Sequence, residues 1–327
     1  MRILFVTATR IGDAVLSTGL LSHVIARYPG ARLTIAAGPV AAPLFEAVPG
    51  LERRIVLRKR PLALHWLALY ARTARRRWDL VVDLRGSALS WMLRAGERRV
   101  MAKGEASEHR VRQLGRLFGL DPPPGPVLWT APHHESAAAA LQPPGPPVLA
   151  IGPAANWRGK QWRAERFAEL AQRLTGGGGP LPGARVAVLA GGHERGQAAP
   201  LLSALPEEAV IDLVGKTDLL TAAAFLGRCA MFIGNDTGLM HIAAAAGTPT
   251  LGLFGPSPLA QYAPWGRCTA AVRTALPPEA MFVEGFDHRT TDTLMDSLSV
   301  EMAEAAAWAL WRRAAGAAVP VLAAAES

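Results

Sequence analysis

The chain has 327 residues, half of them hydrophobic, and a formal net charge of +9 at pH 7. This length suggests two domains, the hydrophobic content excludes a disordered chain, and the two cysteines, Cys229 and Cys268, exclude a disulfide framework or a cysteine-based zinc site. No apolar stretch is long enough for a secretion signal or a membrane-spanning helix, so we expect a cytoplasmic protein.

The first half alternates between buried strands and helices. Ile3–Thr7 is predicted as a strand, and Ala14–Tyr28 follows it with an apolar stripe at helical spacing. Further strands are predicted at Leu33–Ala37 and Leu80–Asp83, with a helix at Leu62–Arg77 between them. This alternation is typical of a parallel sheet that carries helices on both faces.

A proline-rich stretch at 141–147 predicts a boundary between two domains, residues 1–147 and 148–327. The alternation restarts after it, and a terminal helix is predicted at about 300–315. The strands predicted in this half are Val148–Ile151, Arg185–Ala190, Ile211–Leu213, Met231–Gly234 and Thr250–Phe254, with helices at about 163–174, 194–205, 219–227 and 237–246. We expect two doubly wound, Rossmann-like domains facing each other across a cleft, with ligands outside the carboxyl ends of the strands.

The first candidate site follows the first strand and runs from Thr9 to Asp13. Gly12 permits a tight turn there, and Asp13 stands where a helix is predicted to begin. Its carboxylate has two interpretations: it caps the helix, or it takes a proton from a sugar hydroxyl as a general base. The two roles are compatible, and both remain open.

The second candidate site is the loop Gly152–Trp162, which contains Asn156 and Lys160. It resembles a Walker A loop, but Ala154 stands where that motif needs glycine and Gln161 replaces Ser or Thr, so ATP hydrolysis is not indicated. Backbone N–H groups and the Lys160 ammonium could still bind a diphosphate. Lys160 is one of only four lysines in an arginine-rich chain. The alternative is a solvated lysine.

The third candidate site is Asn235-Asp236-Thr237-Gly238-Leu239, where a strand ends and a helix of small residues begins. The N–H groups at such a helix start favour an anion. Asp236 repels a phosphate, so it either accepts hydrogen bonds from sugar hydroxyls or caps the helix. His241 lies four residues after Thr237, on the same helix face.

A fourth candidate site is the turn that contains Gly192 and Glu194, just beyond another predicted strand. A carboxylate in this position commonly binds ribose hydroxyls. A helix cap is the alternative.

Signatures of several other chemistries are missing from the sequence. There is no dinucleotide fingerprint after the first strand and no nucleophile elbow. The pair His133-His134 is expected in a proline-flanked loop, and no histidine or acidic spacing suits a metal ion. We therefore expect neither a metal nor a cofactor.

The positive charge is concentrated in the first half. Residues 1–147 hold 21 Lys and Arg against 10 Asp and Glu, whereas residues 148–327 hold 14 against 16. A basic half suits nucleic acid, anionic lipid or a phosphorylated glycan. Basic residues at 53–60 and 72–77 flank the apolar stretch 61–71, a pattern that suits a helix lying at an anionic membrane surface. The alternative is a helix packed on the sheet with a solvated basic rim.

Together these motifs resemble glycosyltransferase family 9, whose best-known members are the ADP-heptose:lipopolysaccharide heptosyltransferases. The resemblance spans about residues 2–265 and rests on Arg10–Asp13, Lys160–Trp162 and Asn235–His241, and the stretches Asp83–Ser87 and Phe254–Ser257 also fit. Family members often have Ser or Thr where this chain has Ala154-Ala155, so a hydroxyl contact to phosphate is absent there.

The resemblance implies a GT-B fold and an inverting, metal-independent transfer of heptose from ADP-heptose to a lipopolysaccharide core or related lipid-linked glycan. Asp13 matches the family's proposed base. The residues implied to bind the donor are Asn156, Lys160, Gly192, Glu194, Asp236, Thr237, Gly238, Leu239 and His241, with the diphosphate at Lys160, Thr237 and Gly238, the sugar at Asp236 and the ribose at Glu194. The residues expected to bind the acceptor are Thr9, Gly12, Arg58, Lys59, Arg60 and Arg85.

Two other function classes remain as alternatives. A nucleotide-sugar epimerase uses the same two-domain fold, but it converts its donor without an acceptor and has no use for a basic half. A nucleic-acid-binding protein suits the charge, yet the sequence has no helix-turn-helix, RNP or zinc module. The expected partners are therefore a nucleotide-sugar donor, an anionic lipid-linked glycan and, by peripheral contact, the inner face of the cytoplasmic membrane, and not nucleic acid.

Overall fold

The computed structural model describes residues 1–102, 107–142, 144–282 and 285–317. The strands are β1 (Arg2–Val6), β2 (Arg32–Ala37), β3 (Leu51–Val56), β4 (Trp78–Asp83), β5 (Ala95–Val100), β6 (Val148–Gly152), β7 (Arg185–Val188), β8 (Val210–Asp212), β9 (Met231–Asn235), β10 (Thr250–Phe254) and β11 (Thr269–Arg273). The helices are α1 (Ile11–Arg27), α2 (Leu64–Thr73), α3 (Leu89–Met92), α4 (Arg110–Arg116), α5 (Pro132–Leu141), α6 (Ala164–Thr175), α7 (Arg195–Ala204), α8 (Leu219–Leu226), α9 (Gly238–Ala245), α10 (Leu259–Tyr262), α11 (Pro278–Met281) and α12 (Val300–Ala317).

The chain divides into two compact units. The first comprises residues 1–143 together with two short later segments, 217–225 and 260–265. The second comprises residues 144–216, 226–259 and 266–327. Most of α8 and α10 therefore group with the first unit, although the chain reaches them from the second.

The first unit is built on a parallel sheet of order β3-β2-β1-β4-β5. β1 lies at its centre, with Ile3 beside Leu33 of β2 and beside Leu80 of β4. The apolar residues of β1 are fully buried, because helices cover both faces of a parallel sheet. The chain leaves β1 toward β2 and later returns to its other side at β4, so the point where the strand order reverses lies between β1 and β4.

The second unit is built on a parallel sheet of order β11-β10-β9-β6-β7-β8. Its core includes Leu149 and Ile151 of β6, Phe167 of α6 and Leu310 of α12, all buried. The terminal helix thus completes this core. The strand order reverses between β6 and β9.

Three strands, β3, β5 and β11, are not predicted from the sequence, and all three lie at sheet edges. β3 reads Leu-Glu-Arg-Arg-Ile-Val, and only Ile55 in it is buried. An edge strand faces solvent along one side and carries charges that discourage further pairing. Its composition therefore resembles that of a loop.

Two other expectations are wrong. The single helix predicted at 62–77 is a 3₁₀ turn at Pro61–Ala63 followed by α2, because Leu62 and Ala63 adopt left-handed conformations that a right-handed helix cannot include. The pair His133-His134 lies in the first turn of α5 rather than in a loop, since Pro132 begins that helix. In the described ranges, no helix combines the length and the apolar character needed to cross a membrane.

Candidate functional site

The residues predicted to bind the donor gather at one edge of the second sheet. The loop with Asn156 and Lys160 follows β6, the turn with Gly192 and Glu194 follows β7, and Asp236 follows β9. β7, β6 and β9 are consecutive neighbours and run parallel, so their carboxyl ends lie side by side. This edge includes the point where the strand order reverses, which is where open α/β sheets bind ligands.

Lys160 and Asp236 form an ion pair at this edge. The Lys160 Nζ donates to Asp236 Oδ2 at 2.7 Å, and the two side chains are 23% and 10% exposed. The sequence predicts both residues in the site, 76 positions apart, but does not predict their contact. Because the ammonium is only partly exposed and its partner is nearly buried, the pair fixes the ammonium beside the strand ends, and the Asp236 carboxylate balances its charge.

Asp236 does not cap α9, so that interpretation is wrong. The N-cap residue is Thr237, and its hydroxyl makes no capping hydrogen bond. The N–H groups of the first turn of α9 have no partners within the helix. Gly238 and Leu239, in this turn, are partly exposed, whereas His241 is buried in the next turn. The start of α9 therefore offers N–H donors to an anion next to the Lys160 ammonium.

Asn235, which the sequence analysis includes in the third candidate site without a role, connects the two loops. Its buried side chain accepts a hydrogen bond from the Trp162 N–H at 3.1 Å and donates to the Pro153 carbonyl at 2.7 Å. These bonds fix the loop after β6 to the end of β9. Asn is favoured at such a position because one amide both donates and accepts.

An acidic segment, residues 287–298, holds the Lys160 loop from its other side and is also missed from the sequence. Asp292 pairs with Arg158 at 2.9 Å and with Arg163 at 3.1 Å, and Asp296 pairs with Arg163 at 2.6 Å. The Leu294 N–H donates to the Gly159 carbonyl. The loop region carries three cations, Arg158, Lys160 and Arg163. The two carboxylates pair with both arginines, and Lys160 pairs with Asp236 instead.

Hydrogen bonds from Arg163 are the main cause that holds the pKa of the Asp296 carboxyl below its ordinary value. The pKa of Asp292 is also lowered, first by the Thr293 N–H and then by Arg158. Both carboxylates therefore stay ionised well into the acidic range. The acidic segment therefore holds the loop in place through ion pairs, and we call this arrangement the clamp.

Glu194 ends a short 3₁₀ turn, Gly192–Glu194, beyond β7. Its Oε2 accepts the Gly191 N–H at 2.7 Å, so the capping interpretation holds for one oxygen. Gly192 packs closely against Gly215, whose φ is +71°. A Cβ at Gly215 would lie only 2.7 Å from the Gly192 Cα, so this contact requires glycine. The second carboxylate oxygen of Glu194 is left to accept a hydroxyl.

Asp13 lies in the first unit, at the reversal point beside the carboxyl end of β1. Arg10 is the N-cap of α1, and Asp13 is the third residue of the helix, within its first turn, where its side chain makes no capping hydrogen bond, so the capping interpretation is wrong. Among the described residues the Asp13 carboxylate has neither a hydrogen bond nor an ion pair, and it is partly exposed. Thr9 packs against Gly38, where a Cβ would come within 2.5 Å of its Cα. This close packing fixes the start of the turn that leads to Asp13, whose carboxylate has no partner among the described residues.

The basic residues predicted to bind the acceptor lie along the same edge of this sheet. Arg58, Lys59 and Arg60 follow β3 and are exposed. Arg85 follows β4, with its guanidinium 5.7 Å from the centre of the Trp66 ring. The buried Asp83 accepts hydrogen bonds from the Arg85 and Ser87 N–H groups and thereby fixes the loop that carries Arg85. Thr9, Gly12 and Asp13 lie at the end of β1, and these cations follow other strands of the sheet.

Glu46, His133 and His134 bring three potential metal ligands within 4.8 Å of one another in the first unit. The hydrogen bond from the Ala131 N–H to His134 Nδ1, at 2.9 Å, requires an unprotonated Nδ1, so the neutral ring carries its proton on Nε2. Glu46 also pairs with Arg54 at 3.3 Å. The proton on His134 Nε2 and the ion pair between Glu46 and Arg54 both oppose metal binding, so these three residues are poorly suited to hold a metal ion.

Two parallel, doubly wound sheets, each with polar side chains at its reversal point, define a two-domain glycosyltransferase of the GT-B class. The family model described as "Glycosyltransferase family 9 (heptosyltransferase)" matches residues 98–287. The chain belongs to this family.

Curated relatives agree with this assignment. The chain is 26% identical to lipooligosaccharide heptosyltransferase 2 of Haemophilus influenzae over 308 residues, which cover 81% of this chain and 86% of the relative. It is 27% identical to lipopolysaccharide heptosyltransferase 2 of Salmonella typhimurium over 303 residues, 79% of this chain and 83% of the relative.

Solved structures share the fold. The ADP-heptose lipopolysaccharide heptosyltransferase II of E. coli superposes with a TM-score of 0.75 at 20% identity and covers 96% of this chain and 100% of its own. A family 9 glycosyltransferase of Veillonella parvula superposes with a TM-score of 0.76 at 20% identity and covers 95% of this chain and 97% of its own. The GT-B fold expected from the sequence is thus confirmed.

Proposed function

We propose that this glycosyltransferase moves heptose from ADP-heptose to a lipopolysaccharide core or a related lipid-linked glycan, with inversion at the anomeric carbon. The observation that carries the donor half of this proposal is the Lys160–Asp236 ion pair beside the start of α9. It combines an ammonium, a row of N–H groups and a carboxylate at one strand edge. These are the groups that a diphosphate and a sugar require.

The diphosphate takes the Lys160 ammonium and the N–H groups at Thr237 and Gly238. Lys160 retains Asp236 as a partner, and the remaining Asp236 oxygen accepts a hydroxyl of the donor sugar. When the bond between the anomeric carbon and the diphosphate breaks, negative charge grows on the departing ADP. The fixed positive groups stabilise that charge without having to reorganise.

Asp13 serves as the general base. It takes the proton from the attacking hydroxyl of the acceptor, and the hydroxyl oxygen forms the new bond to the anomeric carbon from the face opposite the diphosphate. This single displacement inverts the configuration. Support comes from the lack of any other partner for the Asp13 carboxylate among the described residues, since a carboxylate held in a salt bridge is a weaker base.

The anionic acceptor is held by Arg58, Lys59, Arg60 and Arg85. Their placement beyond the strand ends of the sheet that carries Asp13 supports this assignment. Guanidinium groups bind phosphate with paired hydrogen bonds, so an inner core that carries phosphates suits them. A lipid-linked acceptor also places the enzyme at the inner face of the cytoplasmic membrane, by peripheral contact.

Transfer is tested by mixing the protein with ADP-heptose and a heptose-deficient lipopolysaccharide acceptor. We expect ADP release that depends on the acceptor, and an acceptor heavier by one heptose in mass spectrometry. Conversion of the donor sugar without acceptor and without ADP release would instead identify an epimerase. Release of the nucleoside diphosphate from another nucleotide sugar, and no release of ADP from ADP-heptose, would overturn the donor assignment.

A further inference from the structure

Five large apolar side chains in α3, in α2 and in the turn before α2 are exposed to solvent. Leu62 is 93% exposed, Trp91 69%, Met92 63%, Leu67 62% and Leu64 46%. We call this set the outer apolar surface. Single exposed apolar residues are ordinary, but a group of this size indicates an interaction surface.

These side chains are not part of the packing of the fold. α2 already packs an inner face on the sheet, where Leu69 is 1% exposed and Trp66 and Tyr70 are partly buried. Leu89 and Leu93, which flank the exposed pair of α3, belong to the same core cluster. α2 and α3 therefore pack on the same core cluster, and their exposed residues lie on the sides of the helices that face away from it.

The backbone before α2 displays Leu62 outward. Leu62 and Ala63 have φ values of +51° and +56°, a conformation that residues with a Cβ rarely adopt. The fold thus accepts an unfavourable backbone at a position where the side chain is almost wholly in water. No hydrogen bond or ion pair among the described residues offsets the unfavourable backbone of Leu62 or the exposure of its side chain.

The charge around this surface has one sign. Residues 53–78 and 84–96 contain no Asp or Glu. Arg58, Lys59 and Arg60 directly precede Leu62, are exposed, and make no ion pair with any described residue. Arg94, two residues after Met92, is likewise exposed. An apolar centre with an uncompensated basic rim matches an anionic bilayer, which has acyl chains below a negative surface.

We infer that the outer apolar surface inserts into an anionic phospholipid bilayer while Arg58, Lys59, Arg60 and Arg94 contact the lipid phosphates. This deepens the proposed function, on which it rests for the location of the acceptor. A second copy of the chain is disfavoured as occupant, because symmetric pairing would bring two uncompensated basic rims together. Trp91 suits the level of the headgroups, where indole rings concentrate in membrane proteins.

The sequence pattern alone places the basic contacts at both ends of the helix, including residues 72–77. In the structure one residue of that second group, Arg76, pairs with Glu52 at 3.0 Å, whereas Arg72, Arg75 and Arg77 are exposed. It also adds Trp91 and Met92, which lie outside the stretch that the pattern selects. The surface is therefore formed by α2 and α3 together.

The test is co-sedimentation of the full chain with vesicles of phosphatidylglycerol and phosphatidylcholine, or of phosphatidylcholine alone, over a salt series. We expect binding only to the anionic vesicles, weakening as salt rises. The variant Leu62→Gln/Leu67→Gln/Trp91→Gln should bind about tenfold more weakly or worse, since each large apolar side chain contributes to partitioning. Arg58→Gln/Arg60→Gln should flatten the salt dependence.

The matched control is Leu276→Gln, which changes a 51% exposed leucine in the second unit and should bind vesicles as the wild type does. The triple variant should keep its melting temperature, its affinity for ADP and its transfer to a deacylated, soluble acceptor, and lose transfer to vesicle-embedded acceptor. Lack of transfer to either acceptor by the wild type, with vesicle binding intact, would reject the proposed function and leave the membrane surface standing.

Three results would overturn the inference. The first is full vesicle binding by the triple variant. The second is equal binding of the wild type to vesicles with and without phosphatidylglycerol. The third is a wild-type dimer in sedimentation velocity that the triple variant converts to a monomer, which would assign the surface to a second copy.

Discussion

The role of Asp13 depends on the surroundings of its carboxylate. In the described part of the chain it has no hydrogen-bond or ion-pair partner, so it does not stabilise the fold through a side-chain contact. We predict that Asp13→Asn lowers turnover by about 10²–10⁴-fold, because it removes the proton acceptor. Turnover is measured by acceptor-dependent ADP release.

The same variant should bind ADP with unchanged affinity and keep its melting temperature, since amide and carboxylate have the same shape. Near-normal turnover would reject Asp13 as the base. A large fall in melting temperature would instead indicate a structural role that the geometry does not suggest.

Lys160 belongs to the second unit, and its proposed role is to bind the diphosphate of the donor. Lys160→Ala removes a charge-assisted contact to phosphate, so ADP affinity should fall about 10–100-fold while adenosine affinity changes little. Isothermal titration calorimetry measures both. The control is Lys216→Ala, which removes an exposed lysine of the same unit that pairs with Asp212 at 3.2 Å. Equal losses for ADP and adenosine would place Lys160 away from the diphosphate.

At the scale of elements, the acidic segment 287–298 connects the loop after β6 to the rest of the second unit. The pKa of Asp296 is lower in the folded protein than in an unfolded chain, mainly through Arg163. A lowered pKa means that the interaction contributes fully above the unfolded value, roughly pH 4, and is lost as the pH falls through the folded value. The clamp should therefore loosen only in acid.

We predict that Asp296→Asn lowers the melting temperature by about 1–3 °C at pH 7, as expected for one solvent-exposed pair in a network. The difference from the wild type should shrink as the pH falls below the unfolded value and disappear once the folded Asp296 carboxyl is protonated, because both chains then lack the charge. Thermal unfolding followed by circular dichroism checks this. The control is Asp287→Asn, whose carboxylate pairs with Arg289 two residues away and does not touch the loop. A pH-independent difference would exclude the electrostatic origin.

Edge strands explain the elements that sequence patterns miss. β3 carries Glu52, Arg53 and Arg54 in succession, and β5 carries Glu97, Arg98 and Arg99. Central strands such as β1 and β6 are buried on both faces and are recognised by their apolar runs. β3 and β5 therefore lack the apolar run that makes a central strand recognisable, because an edge strand can expose charged side chains, although the edge strand β8 was predicted.

At the scale of the whole molecule, we propose that the protein's own groups, and not a metal ion, supply the positive charge that the departing diphosphate needs. Lys160 and the start of α9 provide the positive groups at the donor edge, and the one carboxylate paired there, Asp236, is already bound to Lys160. We predict that activity survives chelation by EDTA. Loss of activity that magnesium or manganese restores would contradict the prediction.

The cluster of Glu46, His133 and His134 supplies the control for that experiment. His133→Asn removes the one exposed imidazole among its three residues. The variant should keep full activity, with or without EDTA, because His134 has the wrong tautomer to ligate an ion. Reduced activity in this variant would reopen a role for the cluster.

Local chemistry in the sequence was sufficient for the fold class and for the placement of the candidate residues at strand ends. Apolar runs followed by polar turns predict parallel strands with ligand groups at their carboxyl ends, and Asp13, Lys160, Glu194 and Asp236 all lie at such ends. These predictions succeed because backbone periodicity and turn chemistry act over a few residues.

The pairings between distant residues arise only in the folded chain. Asp236 meets Lys160 rather than capping a helix, Asn235 holds the loop after β6, and Asp292 and Asp296 reach that loop from more than a hundred residues away. The outward exposure of Leu62 and Trp91 likewise depends on which face of each helix the sheet has already covered. Burial and long-range contacts are properties of the packed chain, so periodicity in the sequence cannot assign the two faces of an apolar helix, and tertiary packing does.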